Sequence, residues 1–237
     1  MKCVAGHQPN LYPYGGFFAK ATSVDIFVIV DNTQYVKKEF HNRNRILLRD
    51  GKVIWLSIPV KNAGNYKKKI NEMEIDNSIA WKRKHLKSIY LNYKTCPFFE
   101  EYFEGYENLL KEQWDYLTDY NIAFIKYCFE SLRIKTPVLR GSEIKICGKS
   151  SELILDICKK TNSQCYLHGK HARDYVDFEY LRTNGIKNLI QDFTPRQYPQ
   201  NNHRAFTPNL SILDILFNLG KDTLDFLQES QKILMEQ

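Results

Sequence analysis

The chain has 237 residues, 43% apolar and 26% charged, enough to bury a core in one large α/β unit. Six cysteines without a CxxC pair exclude a small disulfide framework, and no apolar run approaches the ~20 residues of a membrane span, so free thiols and a cytoplasmic location without a signal peptide are expected. The net charge of +7 comes wholly from the first third: residues 1–70 hold 12 Lys and Arg against 4 Asp and Glu, the rest 22 against 23, an asymmetry that suits a phosphorylated ligand or a nucleic acid.

In chain order, "KCVAGH" (2–7) reads as a short buried strand and residues 16–23 as a short helix. "VDIFVIVD" (24–31) is a β-branched and aromatic run closed by Asp31, the pattern of a strand buried on both faces. "VIWLSIPV" (53–60) is another strand, ended or placed at an edge by Pro59. From 79 the texture becomes helical: "SIAWKRKHLKSIYLNY" (78–93) with Ser78 as N-cap, a helix opened by Pro97 and running to about 112, and a third over 112–132. Strand residues 137–144 follow, then a helix over 149–161 opened by a Ser pair. Short strands at 165–169 and 188–193 come next, and then a helix over 209–220 stopped by Gly220. Strands alternate with helices at both ends. The pattern predicts an α/β fold with a mostly parallel sheet, flanking helices and a helical insertion, as one domain over 1–237 with the helical subregion at about 79–133.

Ligands of open α/β sheets bind in loops at the carboxyl ends of strands. The loop after the first strand, "HQPNLYPYGGFFAK" (7–20), is rich in such chemistry. His7, Gln8, Asn10, Tyr12 and Tyr14 offer hydrogen-bonding groups, Lys20 offers charge, and Gly15 and Gly16 let backbone approach a ligand. The plainer alternative is a rigid turn set by Pro9 and Pro13 with rings covering the core edge. The segment after the second strand, "DNTQYVKKEFHNRNRI" (31–46), holds Asp31, Gln34, Lys37, His41, Asn42, Arg43, Asn44 and Arg45, a dense set of donors for phosphate and sugar oxygens. "CGKSSE" (147–152) reads as plain Ser capping. In "LHGKHARDY" (167–175) His168 could contact substrate, and the spacing with His171 does not make a metal site. Arg196, Tyr198, Gln200 and His203 form a polar loop ahead of the last long helix.

Four segments together carry a resemblance: "HQPNLYPYGGFFAK", "VDIFVIVDNTQYVKKEFHNRNRI", "VIWLSIPV" and "NLSILDILFNLG". They resemble the WbqC-like family, whose members show "QPxYLPWxGYFxK", a strand closing in Asp, "QyxKxxFxNRNRI", "WLxxPV" and "LSILDLLFNxG". Here Tyr14 replaces the family's Trp, and the first aromatic and Leu are exchanged. The resemblance implies a bacterial enzyme of surface-polysaccharide (O-antigen) synthesis, transferring an acyl or aminoacyl (glycyl) group to the amine of a nucleotide-linked amino sugar. The basic, aromatic first third makes a nucleotide-sugar substrate the expectation, with an acyl or aminoacyl donor, tRNA- or CoA-linked, left open and no certain cofactor. The alternatives are an RNA- or nucleotide-binding protein and a non-catalytic scaffold of a glycan assembly complex. A weaker likeness, to nucleotidylyltransferase-like folds such as pantothenate synthetase, lacks the HxGH signature: its counterpart, "YGGF" (14–17), has neither His. A neutral His7 or His41 is the candidate base for taking the amine proton.

Overall fold

The computed structural model describes residues 1–61, 67–200 and 205–236. Its centre is a six-stranded sheet in the order β5-β2-β1-β6-β7-β8. β1 (Cys3–His7) lies parallel between β2 (Ile26–Ile29) and β6 (Cys165–His168). β5 (Val138–Arg140) is added parallel beyond β2, and β7 (Lys187–Phe193) parallel beyond β6. β8 (Gln231–Met235) closes that side antiparallel to β7. The register sets His7 beside Ile29, Ile29 beside Arg140, and His168 beside Ile190, so these residues line the carboxyl edge.

The strands read as continuous apolar runs because both sheet faces are covered. Val4, Val28 and Tyr166 pack on one face with α5 (Ser150–Lys160) and α6 (Phe178–Thr183). Ala5, Phe27, Ile29 and Leu167 face the other side. That side carries α1 (Gly15–Ala21), α7 (Ile212–Leu219) and α8 (Thr223–Glu229). Its core continues into a helical block of α2 (Trp81–Tyr93), α3 (Phe99–Lys111) and α4 (Leu117–Ser131). Gly220 stops α7 at φ 55°, and a Cβ there would stand 2.4 Å from the Phe98 ring, so both conformation and packing require glycine.

The α/β class with a mostly parallel sheet is as the alternation predicts. Several local expectations are corrected. The segment 31–46 is not all loop: Arg43–Leu47 is a strand, β3, paired antiparallel with β4 (Val53–Ser57) in a two-stranded ribbon outside the main sheet. Its turn places Gly51 at φ 84° after Asp50, a hairpin signal visible in the sequence. Ser78 does not cap α2, which starts at Trp81; its hydroxyl donates instead to Asp76. The Ser pair opening α5 does not cap it either: Ser150 donates to the Tyr175 carbonyl, and Ser151 accepts from the Asp177 amide. α6 and β8 fall where no element is predicted, because both are short and owe their form to packing on β7.

Candidate functional site

Between β1 and β6 the strand order reverses: the chain leaves β1 toward β2 on one side and β6 toward β7 on the other. The crevice at the carboxyl ends of such a strand pair is where open α/β sheets take their ligands. His7 and His168 end these two strands, and Lys20 reaches the same place from α1. A Cβ built on Gly169 would stand 3.3 Å from the Lys20 Nζ, and the Lys20 charge acts on both imidazoles.

The hydrogen bonds fix the tautomers. His7 Nδ1 lies 2.9 Å from the Gln8 carbonyl, which only accepts, so Nδ1 carries the proton and Nε2 presents a lone pair. That Nε2 has no partner among the described residues and is not sealed by protein. Burial and the Lys20 ammonium push the His7 pKa down to about 3, so the ring is neutral. His168 is buried; its Nε2 donates to Asn188 Oδ1 at 2.9 Å, and desolvation followed by the Lys20 charge lowers it to about 4. Lys20, 6% exposed, is itself lowered to about 8 by burial. The half-buried Asn10 amide, on the loop between β1 and α1, has no hydrogen-bond partner among the described residues.

The other sequence-selected residues are placed differently. His41 is buried with both ring nitrogens used: Nδ1 accepts from the Val36 amide and Nε2 donates to Gln8 Oε1 at 2.9 Å. Gln8 in turn donates to Thr33 Oγ1, so His41 and Gln8 tie the first two loops together at one sheet edge. No lone pair of His41 remains for a base, whereas His7 keeps one. Tyr12 is fully buried at φ 44°, its hydroxyl within 2.8–3.1 Å of His85, Tyr106 and Tyr120. Asn44 holds this loop by donating to the Leu11 and Tyr12 carbonyls, and Asn121 holds Pro9 and His41 in the same way. Tyr12 and Asn44 thus face the interior, not a ligand.

The glycine pair has a packing reason. A Cβ on Gly15 would meet Leu227 and Ile215, and one on Gly16 would stand 2.4 Å from the Tyr14 ring, which itself packs edge-on against Phe193. Asp31 is buried; it takes the Arg140 guanidinium at 2.6 Å and the Ser142 amide and hydroxyl, fastening β2 to β5. Asn42 donates to the Ile58 carbonyl and Arg45 to the Asn209 carbonyl. Arg43 lies 4.2 Å above the Trp55 ring and donates to the Lys38 carbonyl. Gln34 and Lys37 are exposed on the ribbon side, and Gln34 bridges to Lys69. Arg196 pairs with Glu229 ahead of β8. His203 lies outside the described residues. Among the described residues, no cluster of three His, Cys, Asp or Glu side chains could hold a metal ion.

Asn188 and Arg140 were not singled out from sequence. A polar Asn inside the apolar strand "NLIQDF" is the signal that could have found the first. Nothing in the sequence pairs Arg140 with Asp31, 109 residues away.

The signature of the WbqC-like protein family matches residues 8–226, from the loop after β1 to α8. The chain belongs to this family. It is 30% identical over 229 residues to the uncharacterized protein Rv1507c of Mycobacterium tuberculosis (strain ATCC 25618 / H37Rv), an alignment covering 96% of this chain and 98% of the relative. No solved structure matches. Within "HQPNLYPYGG", Tyr12 is spent on the buried network with His85, Tyr106 and Tyr120, whereas His7 Nε2 has no partner among the described residues. Among the described residues, no helix is long and apolar enough to cross a membrane.

Proposed function

We propose that this WbqC-like protein is a cytoplasmic transferase of surface-polysaccharide (O-antigen) synthesis, moving an acyl or aminoacyl group onto the amine of a nucleotide-linked amino sugar. The observation that carries this is the open Nε2 of His7 at the switch point of the sheet, on a ring held neutral and fixed by the Gln8 carbonyl. In the reaction, the sugar amine attacks the donor carbonyl, a C–N bond forms and the bond to the donor's oxygen or sulfur breaks. The amine proton passes to His7 Nε2 and then to the leaving group. A base with a low pKa is weak at pH 7 but always unprotonated, which suits an amine whose own proton becomes acidic as it attacks.

The test pairs nucleotide-linked amino sugars with aminoacyl-tRNA or acyl-CoA donors and reads the mass gained by the sugar. Wild-type protein should give a product of acyl mass, and His7→Gln should slow its formation by roughly 10²–10⁴ while sugar binding stays nearly intact. Absence of product with every pair, or full activity of His7→Gln, refutes the reading.

A second reading is favoured by the ribbon. Phe40 and Trp55 are exposed with ring centroids 5.6 Å apart, Arg43 lies on Trp55, and Lys37 and Lys38 are exposed nearby, the make-up of a base-stacking surface for RNA. Filter binding of tRNA across a salt series tests it: Trp55→Ala should weaken salt-sensitive retention at least fivefold, and unchanged retention discards this surface.

A further inference from the structure

Three Lys, Arg, Asp or Glu side chains are buried among the described residues: Lys20, Asp31 and Asp214. Two have fixed counter-groups. Asp31 takes Arg140 and Ser142, and Asp214 takes the hydroxyls of Tyr93 and Tyr198 with the amide of Gln200. Lys20 has none: no hydrogen bond or carboxylate reaches its Nζ among the described residues, and burial is the one influence on its titration. The Nζ is not sealed by protein, and an ammonium on so buried a side chain with no protein partner is costly unless solvent or a ligand meets it. Its neighbours add nothing anionic. The groups shown to act with it are the neutral imidazoles of His7 and His168, and Gly169, whose missing Cβ leaves space beside the Nζ.

We propose that Lys20, framed by His7, His168 and Gly169, is the binding site for the phosphoryl group of the substrate. The phosphoryl oxygens supply the counter-charge that the protein withholds, and the crevice where the strand order reverses is the place where α/β sheets receive phosphorylated ligands. The assignment places phosphate recognition at Lys20 rather than at Arg43 and Arg45, each of which donates one guanidinium nitrogen to a backbone carbonyl and keeps a buried Nε without a partner among the described residues. It rests on the proposed function only for the substrate being phosphorylated; the site itself rests on the unpaired Lys20.

The experiment is thermal unfolding of the full chain with inorganic phosphate, and with acetate and chloride at matched ionic strength. Phosphate should raise the melting temperature in proportion to the logarithm of its concentration once the site saturates. Acetate and chloride should not. Lys20→Met should melt higher than wild type without phosphate, since an unpaired buried charge is gone, and should lose the phosphate response. The phosphate shift reads binding alone and the transfer assay of His7→Gln reads turnover, so a failure of the catalytic reading and a failure of this site give different results. Sulfate, whose charge is constant over the range, gives a further arm on wild-type protein. Its affinity should fall about tenfold per pH unit above about 8 as Lys20 loses its proton. The titratable groups acting with Lys20 there, His7 on β1 and His168 on β6, stay neutral throughout that range. No shift with phosphate, an equal shift with acetate, a surviving shift in Lys20→Met, or a flat sulfate profile overturns the proposal.

Discussion

Replacing Tyr12 by Phe removes one oxygen and keeps the ring against Phe124, 4.8 Å away. That oxygen is the hub of a buried network. His85 Nε2 donates to the Ser57 carbonyl, so its Nδ1 is an acceptor and Tyr12 donates to it at 2.8 Å. Tyr106 at 3.1 Å and Tyr120 at 2.8 Å are then left to donate to Tyr12. The substitution therefore breaks three hydrogen bonds, each worth about 0.5–1.5 kcal/mol, and strands the His85 nitrogen at a further cost of about 1–3 kcal/mol. Re-pairing of Tyr120 with Tyr106 recovers part, so a loss of about 2–5 kcal/mol is expected. Urea unfolding measures it: the midpoint should drop while the slope stays constant. The phosphate response at Lys20 should be unchanged, because Tyr12 faces the helical block. A loss below about 1 kcal/mol would mean that the network is not satisfied as described. An unchanged midpoint together with a lost phosphate response would put Tyr12 in the ligand site.

Asp31→Ala should destabilise by about 3 kcal/mol, the low end for breaking a buried pair, because Arg140 keeps Asp119 at 2.9 Å; urea unfolding with no change would discard the strand-fastening role. Gly16→Ala should cost about 1–3 kcal/mol by driving the Tyr14 ring off Phe193, and a variant as stable as wild type by calorimetry would show that the ring moves freely. Acid should weaken the fold. The buried His41, His85 and His168 are each lowered to about 4 by burial, below their ordinary 6.5. The unfolded chain takes up protons that the native state refuses. The stabilisation is complete above about pH 6.5 and is lost as pH falls toward about 4, at roughly 2 kcal/mol per histidine by pH 5. Urea midpoints equal at pH 7.5 and pH 5 would contradict it.

By itself the sequence determined the class and the edge. Runs such as "VDIFVIVD" have no polar face, so they demand cover on both sides, and parallel strands joined by helices put their loops at one edge whatever the details. It also marked "HQPNLYPYGG" and "HNRNR" as unusual, because proline, glycine and clustered donors are readable from residue type alone. What it did not decide was which of those groups are spent inside the protein. Tyr12 and Asn44, chosen as ligand contacts, are consumed by partners such as His85 and the Leu11 carbonyl, which lie 73 and 33 residues away in the chain. His7 and His41 look alike in sequence; a third-dimension contact from Val36 and Gln8 closes one ring, and its absence leaves the other open. The charge of Lys20 was visible, but its isolation was not. A buried charge is defined by the carboxylates that fail to reach it, and only the packing of α1 over the ends of β1 and β6 decides that.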